Sequence, residues 1–184
     1  IKLQTKIKSI YKKKYSIDLL LLGYGGAGPY PQCFENLNDE EKIEEANKKI
    51  NSFLEMSINF IKSIKPKFYM PFAGTYVLTG KLSKLQEIRG VPHIDQAHTY
   101  IKNRLNSSSE ISSHGIKLNT DCTFCLKTKS YTKKYIPMDQ KLLKTYIKEV
   151  LSNKKFSYEN DEQTSLEEIF ELSKISHKRY LAKK

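Results

Sequence analysis

The sequence predicts an α/β fold, and two apolar runs with a long amphipathic stretch between them carry the prediction. Residues 17–22 read Ile-Asp-Leu-Leu-Leu-Leu, and residues 67–72 read Lys-Phe-Tyr-Met-Pro-Phe. Between them, Asp39–Ile64 has helical spacing. An apolar strand, a crossover helix and another apolar strand form a βαβ unit, which implies parallel strands covered by helices. Short strands follow, and the chain closes in a helical tail. The pattern changes at Pro137, so we expect an α/β unit over residues 1–136 and a helical appendage over 137–184.

In chain order, Leu3, Ile7, Ile10 and Tyr11 space out a short amphipathic helix over residues 2–14, with Lys12, Lys13 and Lys14 in its last turn. The long helix opens on Asn38 as N-cap with Glu41 as its capping-box partner, and acids crowd its first turn. Ile43, Ala46, Ile50, Phe53, Leu54, Ile58 and Ile61 make its apolar stripe, and Pro66 stops it. Residues 77–106 read as a loop and one or two helices, 81–88 and 94–105. A turn at Ser107, Ser108 and Ser109 leads to two short strands, near 110–113 and 120–126, around a turn at His114 and Gly115. Residues 138–151 and 165–181 are helical, the second capped by Thr164 or Ser165.

Ligands of α/β sheets collect at the carboxyl ends of the strands, and two unusual loops lie there. Gly23, Gly25 and Gly28 match G-x-G-x-x-G, but Pro29 and Pro31 follow and no helix opens for about ten residues, so a dinucleotide fold is rejected. What remains is a loop able to approach a ligand closely or simply to turn a corner. The other loop, residues 71–76, reads Pro-Phe-Ala-Gly-Thr-Tyr.

Charge invites a nucleic-acid reading at +12, yet Arg89, Arg104 and Arg179 are the whole arginine complement. Base and phosphate recognition leans on arginine, so a solvated lysine-rich surface accounts for the charge better. Cys33, Cys122 and Cys125 make no secreted disulfide framework, and a reducing, cytoplasmic setting is the expectation. No run approaches the roughly 20 apolar residues of a membrane span. Cys122 and Cys125 form a lone C-x-x-C, where zinc would want a second pair. His93 and His98 are weak metal candidates: five residues apart on a helix, their rings diverge by about 140°. The chain begins at Ile1 and enters a βαβ unit almost at once, which suggests the back half of a longer protein.

The pieces Gly-Gly-Ala-Gly-Pro-Tyr-Pro-Gln-Cys-Phe (residues 25–34), Lys-Pro-Lys-Phe-Tyr (65–69) and Pro-Phe-Ala-Gly-Thr-Tyr (71–76) together resemble the second half of metallo-β-lactamase-fold proteins. The resemblance is to the branch that contains the CMP-N-acetylneuraminate hydroxylases, together with related sugar-nucleotide hydroxylase-like bacterial proteins. It covers residues 15–80, thins to about 126 and stops there. It implies half of an αββα metallo-β-lactamase-like sandwich over residues 1–136. It also implies a metal-dependent enzyme of a sugar nucleotide or glycan precursor, an N-acyl hydroxylase using iron, with a Rieske iron–sulfur domain upstream and an electron-transfer protein as a partner. The zinc hydrolases of the fold carry a histidine where this chain has Ala73, and their His-x-His-x-Asp-His loop is missing here, so the oxidoreductase is favoured over the metallohydrolase. On this reading the segment supplies a wall of the substrate pocket from Tyr24, Gly25, Gly26, Tyr30, Phe72, Ala73, Gly74 and Tyr76. No catalytic residue is named, the segment alone is expected to be inactive, and its missing N-terminal half is a partner. The alternative from another class is a non-enzymatic lysine-rich α/β module that binds a protein or polyanion.

Overall fold

The computed structural model describes residues 16–107 and 112–183. The expected helix over 2–14, with its lysine cluster, lies outside them, as do Ser108 and Ser109. The chain divides between Asn153 and Lys154 into two compact units.

The first unit has the predicted βαβ core. β1 (Leu19–Gly23) and β2 (Phe68–Phe72) are parallel, with Leu19 opposite Phe68 and Gly23 opposite Phe72. β3 (His114–Gly115) adds to the other side of β2, also parallel, giving the order β1-β2-β3. The turn expected at His114 and Gly115 is therefore a strand. The Gly115 Cα is where the Tyr69 ring and His98 meet the backbone, and a methyl there would lie 2.5 Å from His98 Nε2 and 2.7 Å from the Tyr69 hydroxyl. Only a residue without a side chain fits between them. A separate hairpin follows, β4 (Phe124–Cys125) antiparallel to β5 (Ser130–Tyr131), and its Phe124 packs edge-on against Phe68 at 5.3 Å.

Helix α1 (Asp39–Ile64) connects β1 to β2. Its capping box is formed, with the Glu41 amide donating to Asn38 at 2.9 Å and the Asn38 amide donating to Glu41 at 2.8 Å. It ends on Lys65 in the left-handed region (φ 50°), ahead of Pro66. Helix α2 (Ile94–Asn106) connects β2 to β3 after a 3₁₀ segment, Gly80–Ile88. Both helices lie on one face of the sheet. Leu22 and Tyr69 point into them and are buried with Ile58 and Ile61 of α1 and Ile101 and Leu105 of α2. The stripe on α1 is narrower than its sequence suggests, because Ile43, in the second turn, is 52% exposed beyond the sheet's reach.

Side chains alternate along a strand, so Leu21, Met70 and Phe72 share the opposite face. There Leu21 is 53% and Phe72 51% exposed. Parallel sheets ordinarily have both faces covered. Among the described residues, helices cover one.

Helix α3 (Gln140–Glu149) starts on Asp139, whose carboxylate accepts from the amides of Lys141 and Leu142. It belongs to the first unit, with Ile147 and Leu151 buried there. These two apolar residues anchor the helix, so the first compact unit runs past Pro137 to Asn153. The second unit holds a short 3₁₀ turn (Ser157–Asn160) and helix α4 (Leu166–Leu181), capped by Ser165.

Candidate functional site at the carboxyl edge of the sheet

All three parallel strands end at one edge, and each delivers a polar residue to it. Tyr24 leaves β1 and Thr75 follows β2, and their hydroxyls lie 2.8 Å apart. Thr75 also donates to the Pro92 carbonyl at 3.0 Å. Tyr24 is buried against Leu54 and Ala97. Burial pushes its phenol up, the bond to Thr75 offsets part of this, and the charge of Asp95 adds to it. Lys117 stands just past β3 and meets Asp95, in the first turn of α2, at 2.5 Å. Lys117 also lies over the Tyr135 ring at 4.1 Å, and Tyr135 hydrogen-bonds Asp95. Burial, and then Asp95, raise Tyr135 to about 12. Burial likewise pushes the Asp95 carboxyl up, but Lys117 and Tyr135 together outweigh it and hold the group below the usual carboxylate range.

His93 is the N-cap of α2. Its Nδ1 accepts from the Asp95 amide at 3.3 Å, which leaves the ring proton on Nε2. Beside this network is a cavity of about 600 Å³ walled by His93, Leu118, Tyr135, Ile136, Lys133 and Lys134. Asn119 clamps the two wall segments, its amide donating to the Ile136 carbonyl at 2.9 Å while the Ile136 amide donates to Asn119 at 2.7 Å. The lining offers the Lys133 and Lys134 ammonium groups to an anionic small molecule, with the Asp139 carboxylate in the same wall.

The sequence candidates fall into separate places. Tyr24, Gly25 and Gly74 form the joint that locks the two loops together. A Cβ on Gly25 would sit 2.5 Å from the Gly74 carbonyl oxygen, and one on Gly74 would sit 2.6 Å from the Tyr24 ring. Gly26 lies under Phe53. Tyr30 is on the outer side of α1, where it donates to Glu45, stacks edge-on with Phe34 at 5.0 Å and accepts from Lys49 at 2.6 Å through its carbonyl. Phe72 is on the uncovered sheet face. Ala73 is exposed at φ 49°, a left-handed conformation that costs a non-glycine residue about 1 kcal/mol or more. Tyr76 lies under the Arg89 guanidinium at 5.9 Å, its hydroxyl buried without a hydrogen-bond partner among the described residues.

Asp95, Lys117, Tyr135, Lys133 and Lys134 are the groups that sequence reasoning missed as a site. Lys117 was findable from its place at the end of the third strand, had that strand been recognised.

Among the described residues no group of three or more His, Cys, Asp or Glu side chains converges to hold a metal ion. His93 meets Asp95, at 3.6 Å, while His98 lies against Tyr69 and the Gly115 backbone. These residues do not fit a catalytic metal. Cys33, Cys122 and Cys125 are free thiols, Cys122 half-buried in the cavity wall and Cys125 exposed.

His98 makes stability sensitive to acid. Burial, then Lys117, hold its imidazole below the ordinary range, and the bond to the Gly115 backbone only partly opposes them. A histidine with a lowered folded value is fully stabilising above its unfolded value of about 6.5, and this contribution is lost as pH falls through the folded value. Urea midpoints measured from pH 8 to pH 5 are expected to fall below about pH 6.5. In His98→Gln that part of the slope should vanish.

Compared with family models, curated proteins and solved structures, the chain matches none.

Proposed function

We propose that this chain is a small-molecule-binding α/β unit whose carboxyl-edge cavity takes an anionic sugar nucleotide or related glycan precursor. In this reading it is the substrate-binding half of a metallo-β-lactamase-like enzyme, of hydroxylase or hydrolase type, with the metal ligands outside the described residues. The observation that carries the binding role is the ion pair of Asp95, in the first turn of α2, with Lys117, next to a cavity lined by His93, Lys133 and Lys134. The sheet face away from the helices is covered by the β4–β5 hairpin at Phe68 but left exposed at Leu21 and Phe72, and this open part supports the fold part of the reading, since a second sheet stacks on such a face in a sandwich.

The test is a calorimetric and NMR titration of the chain with UDP-N-acetylglucosamine and a CMP-sugar. Saturable binding is expected with a dissociation constant between about 10 µM and 1 mM, and with amide shifts at residues 93–95, 117–120 and 133–136. Lys133→Glu with Lys134→Glu should weaken it about tenfold or more, since two attractive charges at the rim become repulsive. No saturation by either compound at about 10 mM would overturn the proposal. Tight heparin binding with a steep salt dependence, displaced by neither sugar nucleotide, would favour the polyanion-binding module instead.

A further inference from the structure

Where the β4–β5 hairpin meets the sheet, the first unit holds a second, smaller cavity of about 260 Å³. Its walls are the rings of Phe68, Phe124, Tyr131 and His114, completed by Ile116 and Lys129. Phe68 is buried, but Tyr131 stays 43% exposed and His114 is exposed too. The rings form a chain, with Phe68 6.0 Å from His114 and 5.3 Å from Phe124, and Phe124 4.7 Å from Tyr131. Successive rings are tilted by between 42° and 66°, so parts of their faces stay bare.

An aromatic wall of this kind favours a flat π-system, and stacking on a nucleobase is sequence-tolerant because every base has a π-face. A quaternary ammonium, the other common guest of aromatic walls, is opposed by the like charge of Lys129. The same ammonium attracts a flat ring that carries negative charge. Size narrows the choice further. The cavity is smaller than the roughly 300 Å³ at which pockets for drug-sized molecules begin, so it takes one ring system and leaves any phosphate outside.

Outside it the chain is basic. Residues 120–136 carry Lys127, Lys129, Lys133 and Lys134 against one acid, Asp121. The small cavity and the carboxyl-edge cavity also follow one another along the hairpin. Phe124 pairs with Tyr131, and the Thr132 amide extends the ladder by donating to the Thr123 carbonyl at 3.1 Å. One residue further, Cys122 and Lys133 line the larger cavity. On the sheet side Ile116 lines the small cavity and Leu118 the large one. Each step is two residues, at most about 7 Å, a span that a ribose bridges.

We propose that the pocket of Phe68, Phe124 and Tyr131 is a nucleobase site, with the attached phosphate attracted by Lys129 and Lys133. This names the nucleotide half of the ligand proposed above and rests on that reading for the sugar half alone.

The chain has no tryptophan, so Tyr131→Trp places a single reporter in the pocket while keeping an aromatic wall. UMP titrated into this variant should quench its emission saturably, with a dissociation constant of about 0.1–3 mM. Ribose 5-phosphate should neither quench nor compete, and uridine should bind about tenfold more weakly than UMP. Lys129→Glu should weaken UMP about tenfold and leave uridine unchanged. In the wild-type chain UMP should shift the amide signals of residues 114–116, 124 and 129–131. No quenching and no such shifts with UMP or AMP at about 10 mM would overturn the proposal. Two outcomes separate it from the reading it extends. If UDP-N-acetylglucosamine shifts residues 93–95 and 133–136 with an affinity indifferent to Tyr131→Ala, the base pocket is overturned and the larger cavity's role stands. If UMP binds as described and the sugar nucleotide adds neither affinity nor those shifts, the pocket stands and the sugar half falls. A single-stranded oligonucleotide that displaces UMP at about a hundredfold lower concentration, with steep salt dependence, would support the pocket and assign its base to a strand instead of a free nucleotide.

Discussion

Gly25→Ala is expected to destabilise the first unit by about 1–3 kcal/mol, and its melting temperature to fall by several degrees. The added methyl would meet the Gly74 carbonyl oxygen at 2.5 Å and a Val91 methyl at 3.3 Å. The first of these is backbone, held in place by the Thr75 bond to Pro92 and by the Tyr24 ring packed on Gly74. Nothing there can rotate away, so the two loops must separate. Separation breaks the Tyr24–Thr75 hydrogen bond and loosens the cluster of Tyr24, Leu54 and Ala97. Gly28→Ala is the control, because nothing lies within 4 Å of a methyl there and its backbone is not left-handed. It should be neutral or stabilising by up to about 1 kcal/mol through the unfolded chain. A glycine motif that served only to cradle a ligand would instead tolerate both changes in thermal melts. Equal melting temperatures for the two variants would refute the packing account of Gly25.

Asp95→Ala should cost about 1–2 kcal/mol of stability and abolish binding at the carboxyl-edge cavity. Removing the carboxylate leaves the Lys117 ammonium without its partner at 2.5 Å and Tyr135 without its acceptor. The side chains of Asp95 and Lys117 are 28% and 18% exposed, so water recovers part of the loss and the cost stays below that of a fully buried pair. Asp95→Asn keeps an acceptor for Tyr135 and should cost less. The pH profile gives an independent readout. Asp95 titrates below its unfolded value of about 3.9, so its contribution is present above that pH and disappears as pH falls through the folded value. In Asp95→Asn the acid limb of the stability curve should be shallower. A double-mutant cycle of Asp95→Ala with Lys117→Met should return a coupling of about 0.5–2 kcal/mol. Additivity would mean that the contact contributes nothing to stability.

These expectations rest on contacts of quite different visibility. Helix α1 was legible almost to the residue, because its cap, dipole and terminator are all local chemistry: Asn38 and Glu41 bond each other across three residues, and Pro66 cannot continue a helix. The βαβ unit was legible too, since an apolar run on either side of a helix has few ways to be buried. The third strand was not. His114 and Gly115 look like a turn in any local reading, and they become a strand only because Tyr69 and Lys67 offer them a free edge of β2, with the His114 amide donating to the Lys67 carbonyl at 3.0 Å.

The site followed the same rule. The sequence pointed to the carboxyl edge of the sheet, and to the loops that hold Tyr24 and Thr75, because strand direction alone fixes where parallel strands end. It pointed there to glycines as ligand contacts, whereas in the structure Gly25, Gly26 and Gly74 meet protein backbone and aromatic rings. Asp95, Lys117 and Tyr135 lie within 40 residues of one another with no shared motif, and the pair energies that join them are long-range in sequence. By itself, then, the amino-acid sequence determined the long helix, the parallel pair and the edge at which the strand-end loops gather, since propensity, capping and burial period act over a few residues. Tertiary structure alone decided which side chains meet at that edge, because that depends on how far apart in the chain two groups can be and still pack side by side.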